Sequence, residues 1–344
     1  MVYLDNAATT VCKFPASTYD DIWGNANTPY KFGLNARQAA DECRERVKKC
    51  LGVKDGKVIF CSNASEAAKI LCDRFYVENF KTYCWLYEHD SVYDNVETHG
   101  YSKTTHHSNR TAIFQQWVNP VTGIAFDIHS IRQALGNDCF LCMDATAGIG
   151  KIELEQETTD SIDAMWFSGH KFHGPKTGGI LWISDRLSKA LYLSDDSRNE
   201  YGLKHGTLDV PSFIATSCAL EYTLSNSIEN VWHYAEFNNY LSNRAGNRAA
   251  GFKQYANDQL NATVLIDTGC NADALVQYLS SKGIYVGLAH SACSADADYR
   301  VTQAFNISKE TAERCIRVSF SEDSTFEDID ALVDGIKEFK ERFA

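Results

Sequence analysis

The sequence predicts an α/β protein whose larger part is a mainly parallel sheet covered by helices on both faces, followed by a smaller α+β part. Three observations carry this. Short apolar runs of strand length alternate with helix-like stretches through the first two thirds of the chain. After about Leu224 the pattern changes to a long polar-rich helical stretch and a second, shorter set of elements. The length, 344 residues, suffices for a large core and about two domains.

Along the chain, Lys57–Cys61 reads as a strand, followed by a helix from Ser65 to about Phe80. Tyr83–Leu86 and Thr111–Gln116 are the next expected strands. Asp127 suits the N-cap of a helix whose apolar positions are Ile128, Ile131 and Leu135. The strands Cys139–Asp144, Ala164–Phe167 and Gly179–Ile183 come next. Beyond Leu224 the expected elements are the strand Thr263–Asp267, the helix Ala272–Ser281, the strand Cys315–Ser319 and an amphipathic helix from Phe326.

A formal net charge of -12 argues against a broad nucleic-acid-binding surface, which needs clustered Lys and Arg to neutralise phosphates. The opening MVYLDNAATT lacks a basic segment followed by an apolar run, and no stretch approaches the roughly 18 apolar residues of a membrane span. A cytoplasmic protein is therefore expected, with no membrane partner. In that setting the 12 cysteines are expected to be buried thiols rather than a disulfide framework. Cys139 and Cys142 have C-x-x-C spacing, but they share one apolar strand and no second pair accompanies them, so burial is expected and no metal site.

Four segments hold residues suited to chemistry. Ser168-Gly169-His170-Lys171 follows an expected strand and precedes the turn-rich run Gly174–Gly179. A lysine at a strand end is a candidate Schiff-base former once desolvation lowers its pKa; its alternative is a solvated loop lysine. Gly169–Thr177 resembles a phosphate-binding Walker A loop, but Pro175 separates the second glycine from Lys176 and spoils the cradle. Asp144 ends an expected strand, where open α/β sheets place ligand contacts; it suits a cofactor's ring nitrogen, or the cap of a turn. Ser65 begins a helix after a strand, a start whose N–H groups and dipole suit an anion. Cys293, in the small polar segment His290–Ser294, is a candidate exposed nucleophile; its neighbour His290 gives only weak grounds for a cysteine–histidine dyad.

In this order, with further matches, these segments resemble the cysteine desulfurases of the NifS type, in the class V aminotransferase group of fold-type I pyridoxal phosphate (PLP) enzymes. The matches are Tyr3–Thr10, Gly24-Asn25 to Gly33, Glu88-His89, Asp144, Ser168–Lys171, Gly206-Thr207, Ser291–Ser294 and Ile316–Ser319. The resemblance implies a large domain with a seven-stranded-type sheet over residues 12–228, and a small domain of residues 1–11 and 229–344 carrying the catalytic cysteine and the substrate-carboxylate arginine. Lys171 would carry PLP, His89 would stack on its ring and assist proton transfer, and Asp144 would pair with its pyridinium nitrogen. Ser65, Ser168 and His170 would hold the phosphate, with Ala64 and Asn119 among the cofactor contacts and Thr207 reaching in from a partner subunit. Arg317 and Asn25 would bind the substrate. Cys293 would take sulfur from L-cysteine as a persulfide, releasing L-alanine, in a homodimer that passes the sulfur to an acceptor protein for iron–sulfur clusters or thiolated products.

The chain departs from the family pattern inside this site. Asp144-Ala145-Thr146-Ala147 stands where the family reads Asp-Ala-Ala-Gln, so the glutamine that bonds the cofactor's phenolic oxygen is absent at Ala147. Asn119–Gly123 stands for Asn-Asn-Glu-x-Gly, Asn63 for the phosphate-loop glycine, Ser65 for its threonine, and Lys204-His205 for the Arg-Ser before Gly206. The same resemblance leaves two alternatives: another PLP enzyme (a selenocysteine lyase, another β-lyase or an aminotransferase), or a non-catalytic PLP-fold protein that binds partners.

Overall fold

The computed structural model describes residues 1–17, 21–96, 98–99, 110–244, 262–290 and 299–343. In chain order the elements are β1 (Val2–Tyr3), α1 (Lys31–Leu51), β2 (Lys57–Cys61), α2 (Ala64–Val77), β3 (Lys81–Cys84), α3 (Asp90–Tyr93), β4 (Thr98–His99) and β5 (Thr111–Gln116). Next come α4 (Ile128–Leu135), β6 (Phe140–Asp144), α5 (Gln156–Asp160), β7 (Ala164–Ser168), β8 (Gly179–Ile183), α6 (Asp185–Ala190), α7 (Val210–Ser225) and α8 (Ser227–Arg244). The last are β9 (Thr263–Asp267), α9 (Ala272–Ser281), β10 (Ile284–Tyr285), β11 (Gly287–Leu288), α10 (Arg300–Ala304), α11 (Lys309–Ala312), β12 (Cys315–Ser319) and α12 (Phe326–Phe343). They fall into two compact units, residues 11–117 with 127–225, and residues 1–10 with 118–126 and 226–344.

The first unit is built on a seven-stranded sheet in the order β2-β8-β7-β6-β5-β3-β4. It is parallel apart from β8, which runs antiparallel to both neighbours, β2 and β7. The cause is the short connection: a parallel return needs a crossover of a dozen or more residues, and only residues 169–178, without a covering helix, separate β7 from β8. The strand interiors are buried on both faces, as their continuous apolar runs require; Phe114, Trp166, Leu181 and Phe75 meet in the core that α2 covers.

Among the elements that differ from expectation, two are informative. The third strand is Lys81–Cys84 rather than Tyr83–Leu86, because the chain turns after Cys84, with the Glu88 N–H donating to the Trp85 carbonyl, and leaves Leu86 48% exposed. The 21-residue helix α1 was not expected. Its buried face is mostly small (Gly33, Ala36, Ala40, Cys43, Val47, Leu51) in a strongly polar stretch, so few bulky apolar residues mark it, yet it lies close along α7. Gly52 ends it in the left-handed conformation, with φ of 68°.

The second unit holds the antiparallel sheet β11-β12-β9 and the parallel pair β1-β10. Helix α12 packs across α8 and α9 through aromatic contacts, Phe326 on Phe237 (5.2 Å) and Phe339 on Tyr278 (5.4 Å).

Candidate active site

The register puts the ends of several strands on one edge of the large sheet. Cys61 and Ser168 both pair with Gly179, Asp144 pairs with Trp166, and Gln116 pairs with Asp144. The loops leaving β2, β5, β6 and β7 therefore share the edge where open α/β sheets bind ligands.

Lys171 ends a 3-10 turn, Gly169–Lys171, directly after β7. The turn is locked by the segment that follows it: Gly169 N–H donates to the Gly178 carbonyl (2.5 Å) and Gly174 N–H to the Gly169 carbonyl (2.8 Å). Glycine is required in this segment, since a Cβ on Gly178 would lie 2.0 Å from Thr216 Oγ1 and one on Gly179 would lie 2.6 Å from the Asn63 carbonyl group. The segment leads into β8 rather than into a helix, so the Walker-like run is no phosphate loop. Ser168 is 1% exposed, and its Oγ is buried with no hydrogen-bond partner among the described residues. Burial, and then the charges of Lys171, Lys176 and Lys151, push the His170 imidazole down to about 4, so it is neutral near pH 7. The lysines around a neutral ring, with an unpartnered hydroxyl beside it, form a setting suited to an anion.

Asp144, buried at the end of β6, accepts from the Thr146 N–H through Oδ1 at 2.9 Å. Thr146 Oγ1 is itself buried and without a hydrogen-bond partner among the described residues. His89 caps α3: its Nδ1 accepts from the Ser91 N–H at 3.1 Å, which leaves the ring proton on Nε2. Just before it, the fully buried Glu88 accepts from the Gln116 N–H at 2.6 Å, and Gln116 Nε2 donates to the Tyr87 carbonyl at 2.9 Å. These bonds tie the loop carrying His89 to the end of β5. At the start of α2, Asn63 caps the helix by accepting from Glu66 N–H at 2.9 Å, and Ala64 and Ser65 open its first turn. Lys204 binds Glu66 at 2.9 Å. The exposed Thr207 lies 3.5 Å from the side-chain amide of Asn25, so two residues singled out separately in the sequence meet.

The second unit holds the remaining candidates. Arg317, in the middle of β12, is 1% exposed; Nη2 donates to Asp5 Oδ1 (2.7 Å), Nη1 to the Pro120 carbonyl (3.2 Å), and buried Nε has no partner among the described residues. Asn119 Oδ1 accepts from Val121 N–H, Thr122 N–H and Thr122 Oγ1, so its carbonyl is used in a turn. Cys293 lies outside the described residues. His290 is buried, with Nε2 3.2 Å from Asp273. Cys139 and Cys142 are buried with thiols pushed up by burial, as inert core cysteines are. The 11 described cysteines are free thiols.

The sequence reading did not single out Asp5 as Arg317's partner or Glu88 as the anchor of the His89 loop. The one signal for each was a carboxylate inside a matched motif. Chemically, the sheet edge offers a primary amine to condense with a carbonyl, a buried carboxylate, a histidine of fixed tautomer and donors for an anion.

The family model for aminotransferase class-V matches residues 2–82 and 93–332. A cysteine desulfurase IscS of Buchnera aphidicola subsp. Schizaphis graminum is 27% identical over 379 residues, covering 97% of this chain and 91% of the relative. A putative cysteine desulfurase NifS of Bacillus subtilis is 27% identical over 381 residues, covering 97% and 93%. Among solved structures, a NifS-like protein superposes with a TM-score of 0.85 at 23% identity, covering 99% of this chain and 100% of the other, which shows a shared fold.

Proposed function

We propose, from the premise that the chain belongs to the aminotransferase class-V family, that it is a PLP-dependent cysteine desulfurase that converts L-cysteine to L-alanine and leaves a persulfide on Cys293. The observation that carries this is Lys171, held in a glycine-locked turn at the ligand-binding edge of the sheet beside a buried hydroxyl without a partner, in a chain similar to desulfurases over nearly its whole length. The donor set fits PLP: Lys171 for its aldehyde, Ser168, Ser65, Ala64 and His170 for its phosphate, Asp144 for its ring nitrogen and His89 for its ring face. Asn119 and Asn25 are lesser candidates for cofactor and substrate contacts.

PLP supplies an electron sink for the substrate's α-carbon when bound. Lys171 would move the α-proton; the His170 imidazole, held down to about 4 by burial, is too weak a base to compete for it. Asp144 holds a positive ring nitrogen by its negative charge, and the hydrogen bond to Thr146 N–H fixes its oxygens. His89, protonated on Nε2, is oriented as a donor. Arg317 binds the substrate carboxylate by its charge. Cys293, as thiolate, attacks the substrate sulfur: the C–S bond breaks, its electron pair and a proton stay with the carbon as alanine, and the S–S bond of the persulfide forms.

In this proposal residues 12–228 form the cofactor domain, and residues 1–11 with 229–344 carry Cys293 and Arg317. A homodimer is supported by three exposed apolar side chains close in sequence to Asn25, Trp23 (66%), Tyr30 (53%) and Leu34 (52%). Thr207 would then serve the partner subunit's site, and an acceptor protein would collect the sulfur, for iron–sulfur clusters among other uses. No helix of the described residues is long and apolar enough to cross a membrane; with free thiols throughout the described cysteines, this supports a cytoplasmic setting.

The test is purified protein with PLP, L-cysteine and a reductant, following the cofactor's absorbance with alanine and sulfide release. Equal alanine and sulfide, lost in Cys293→Ala while PLP stays bound, is the expected outcome. A Cys293→Ala enzyme with full sulfide output, or bound PLP with neither product, overturns the assignment.

A further inference from the structure

Arg317 is a cation in the wall of a folded unit. At 1% exposure its charge is costly unless countered, and Asp5 counters it through Nη2 at 2.7 Å. The pair needs a glycine beside it: a Cβ on Gly287, which pairs with Arg317 across β11 and β12, would lie 2.7 Å from Asp5 Oδ1, 2.9 Å from Nη2 and 3.0 Å from Nε.

Asp5 is also held in place. Ser319 N–H donates to the Leu4 carbonyl at 2.8 Å, Ser319 Oγ accepts from Ala7 N–H at 2.7 Å, and Asn6 Nδ2 donates to the Ser319 carbonyl at 3.0 Å. The Tyr3 hydroxyl lies 3.1 Å from the Asp5 carbonyl and 2.8 Å from that of Thr9. The backbone on both sides of Asp5 is thus tied down, which keeps its carboxylate beside Arg317. Yet the guanidinium is not fully used, since its buried Nε–H has no partner among the described residues.

We propose that Asp5 is a resident counter-ion that positions Arg317 and limits its affinity for a substrate carboxylate. This rests on the reading that Arg317 binds that carboxylate. Two carboxylates then share one guanidinium, and their mutual repulsion weakens the grip on amino-acid substrate and product alike. A tightly held product would slow turnover, so the counter-ion favours release.

The test uses the PLP-loaded enzyme and L-alanine, which carries the carboxylate and amine but no sulfur. Binding is titrated by the cofactor's visible absorbance and by calorimetry, with ethylamine as the probe lacking a carboxylate. Asp5→Asn keeps the shape and an amide oxygen for Nη2 but removes the charge; it is expected to bind L-alanine about tenfold more tightly, with ethylamine unchanged. Asp5→Glu, which keeps the charge, is expected to stay near wild type. A gain in affinity cannot come from damage to the site, and Asp5→Ser replaces Asp5→Asn if that variant does not fold. Unchanged or weaker L-alanine binding in a folded uncharged variant overturns the proposal. Arg317→Gln separates the two ideas. If it leaves L-alanine binding intact, Arg317's carboxylate role is wrong; if it weakens binding while Asp5→Asn changes nothing, only the counter-ion role fails.

Discussion

Gly178→Ala tests how the turn carrying Lys171 is held. The added methyl would lie 2.0 Å from Thr216 Oγ1, 3.1 Å from Thr216 Cβ and 3.2 Å from Thr216 Cγ2, so rotating the threonine side chain exchanges one close atom for another. Thr216 is fully buried on α7, and on the other side Gly169 N–H is bonded to the Gly178 carbonyl at 2.5 Å, so neither wall can yield without loss. Overpacking of this kind costs about 2–3 kcal/mol. For a chain of this size that lowers Tm by about 4–6 °C. Thr216→Ala alone removes a buried hydroxyl that has no partner among the described residues, so its cost is small, within about 1 kcal/mol. The double variant gives the methyl its space, and thermal and urea unfolding of all four proteins should show a favourable coupling of about 1.5–2 kcal/mol. The cofactor's absorbance should be disturbed in Gly178→Ala and recover in the double variant. Strictly additive losses would refute the reasoning, because the clash would then lie elsewhere.

Two further outcomes are expected. His170 is held down to about 4 by burial and neighbouring lysines, while the unfolded chain takes up that proton near 6.5. Its neutral form therefore contributes stability that is fully present above about pH 6.5 and is lost as pH falls towards 4. Urea unfolding of cofactor-free protein at pH 7 and pH 5 should show wild type losing about 1–2 kcal/mol more than His170→Asn, a figure reduced for solvent at this half-buried site. At the opposite edge of the sheet, Asp163 binds Arg132 (2.6 Å), Arg186 (2.9 and 3.1 Å) and the Leu141 N–H (3.0 Å). Asp163→Asn should cost about 3 kcal/mol in denaturant titrations, since it leaves buried charge without its partner, yet keep activity per folded molecule.

Much of the fold was legible because strands buried on both faces leave unbroken apolar runs. Lys57–Cys61, Thr111–Gln116, Gly179–Ile183, Thr263–Asp267 and Cys315–Ser319 have the expected bounds. Helix α1 was missed although its apolar positions keep the helical period, because they are few and mostly small in a strongly polar stretch; Gly33, Ala36 and Ala40 allow close approach to α7. Its most distinctive side chain is the buried Arg44, which reaches Glu200 at 2.5 Å and the Val58 carbonyl at 3.1 Å, a pairing between residues far apart in the chain.

The sequence by itself determined the residue types of the site and their order: an amine after β7, a carboxylate ending β6, a histidine after β3 and an arginine within β12. These follow from local pattern, because strand ends and turns are set by neighbouring residues. Only the tertiary structure decided the depressed imidazole of His170 and the Asp5 counter-ion of Arg317. Each depends on burial, or on partners brought together by folding or by a turn, and such proximity sets charge and hydrogen bonding without leaving a periodic trace in the chain.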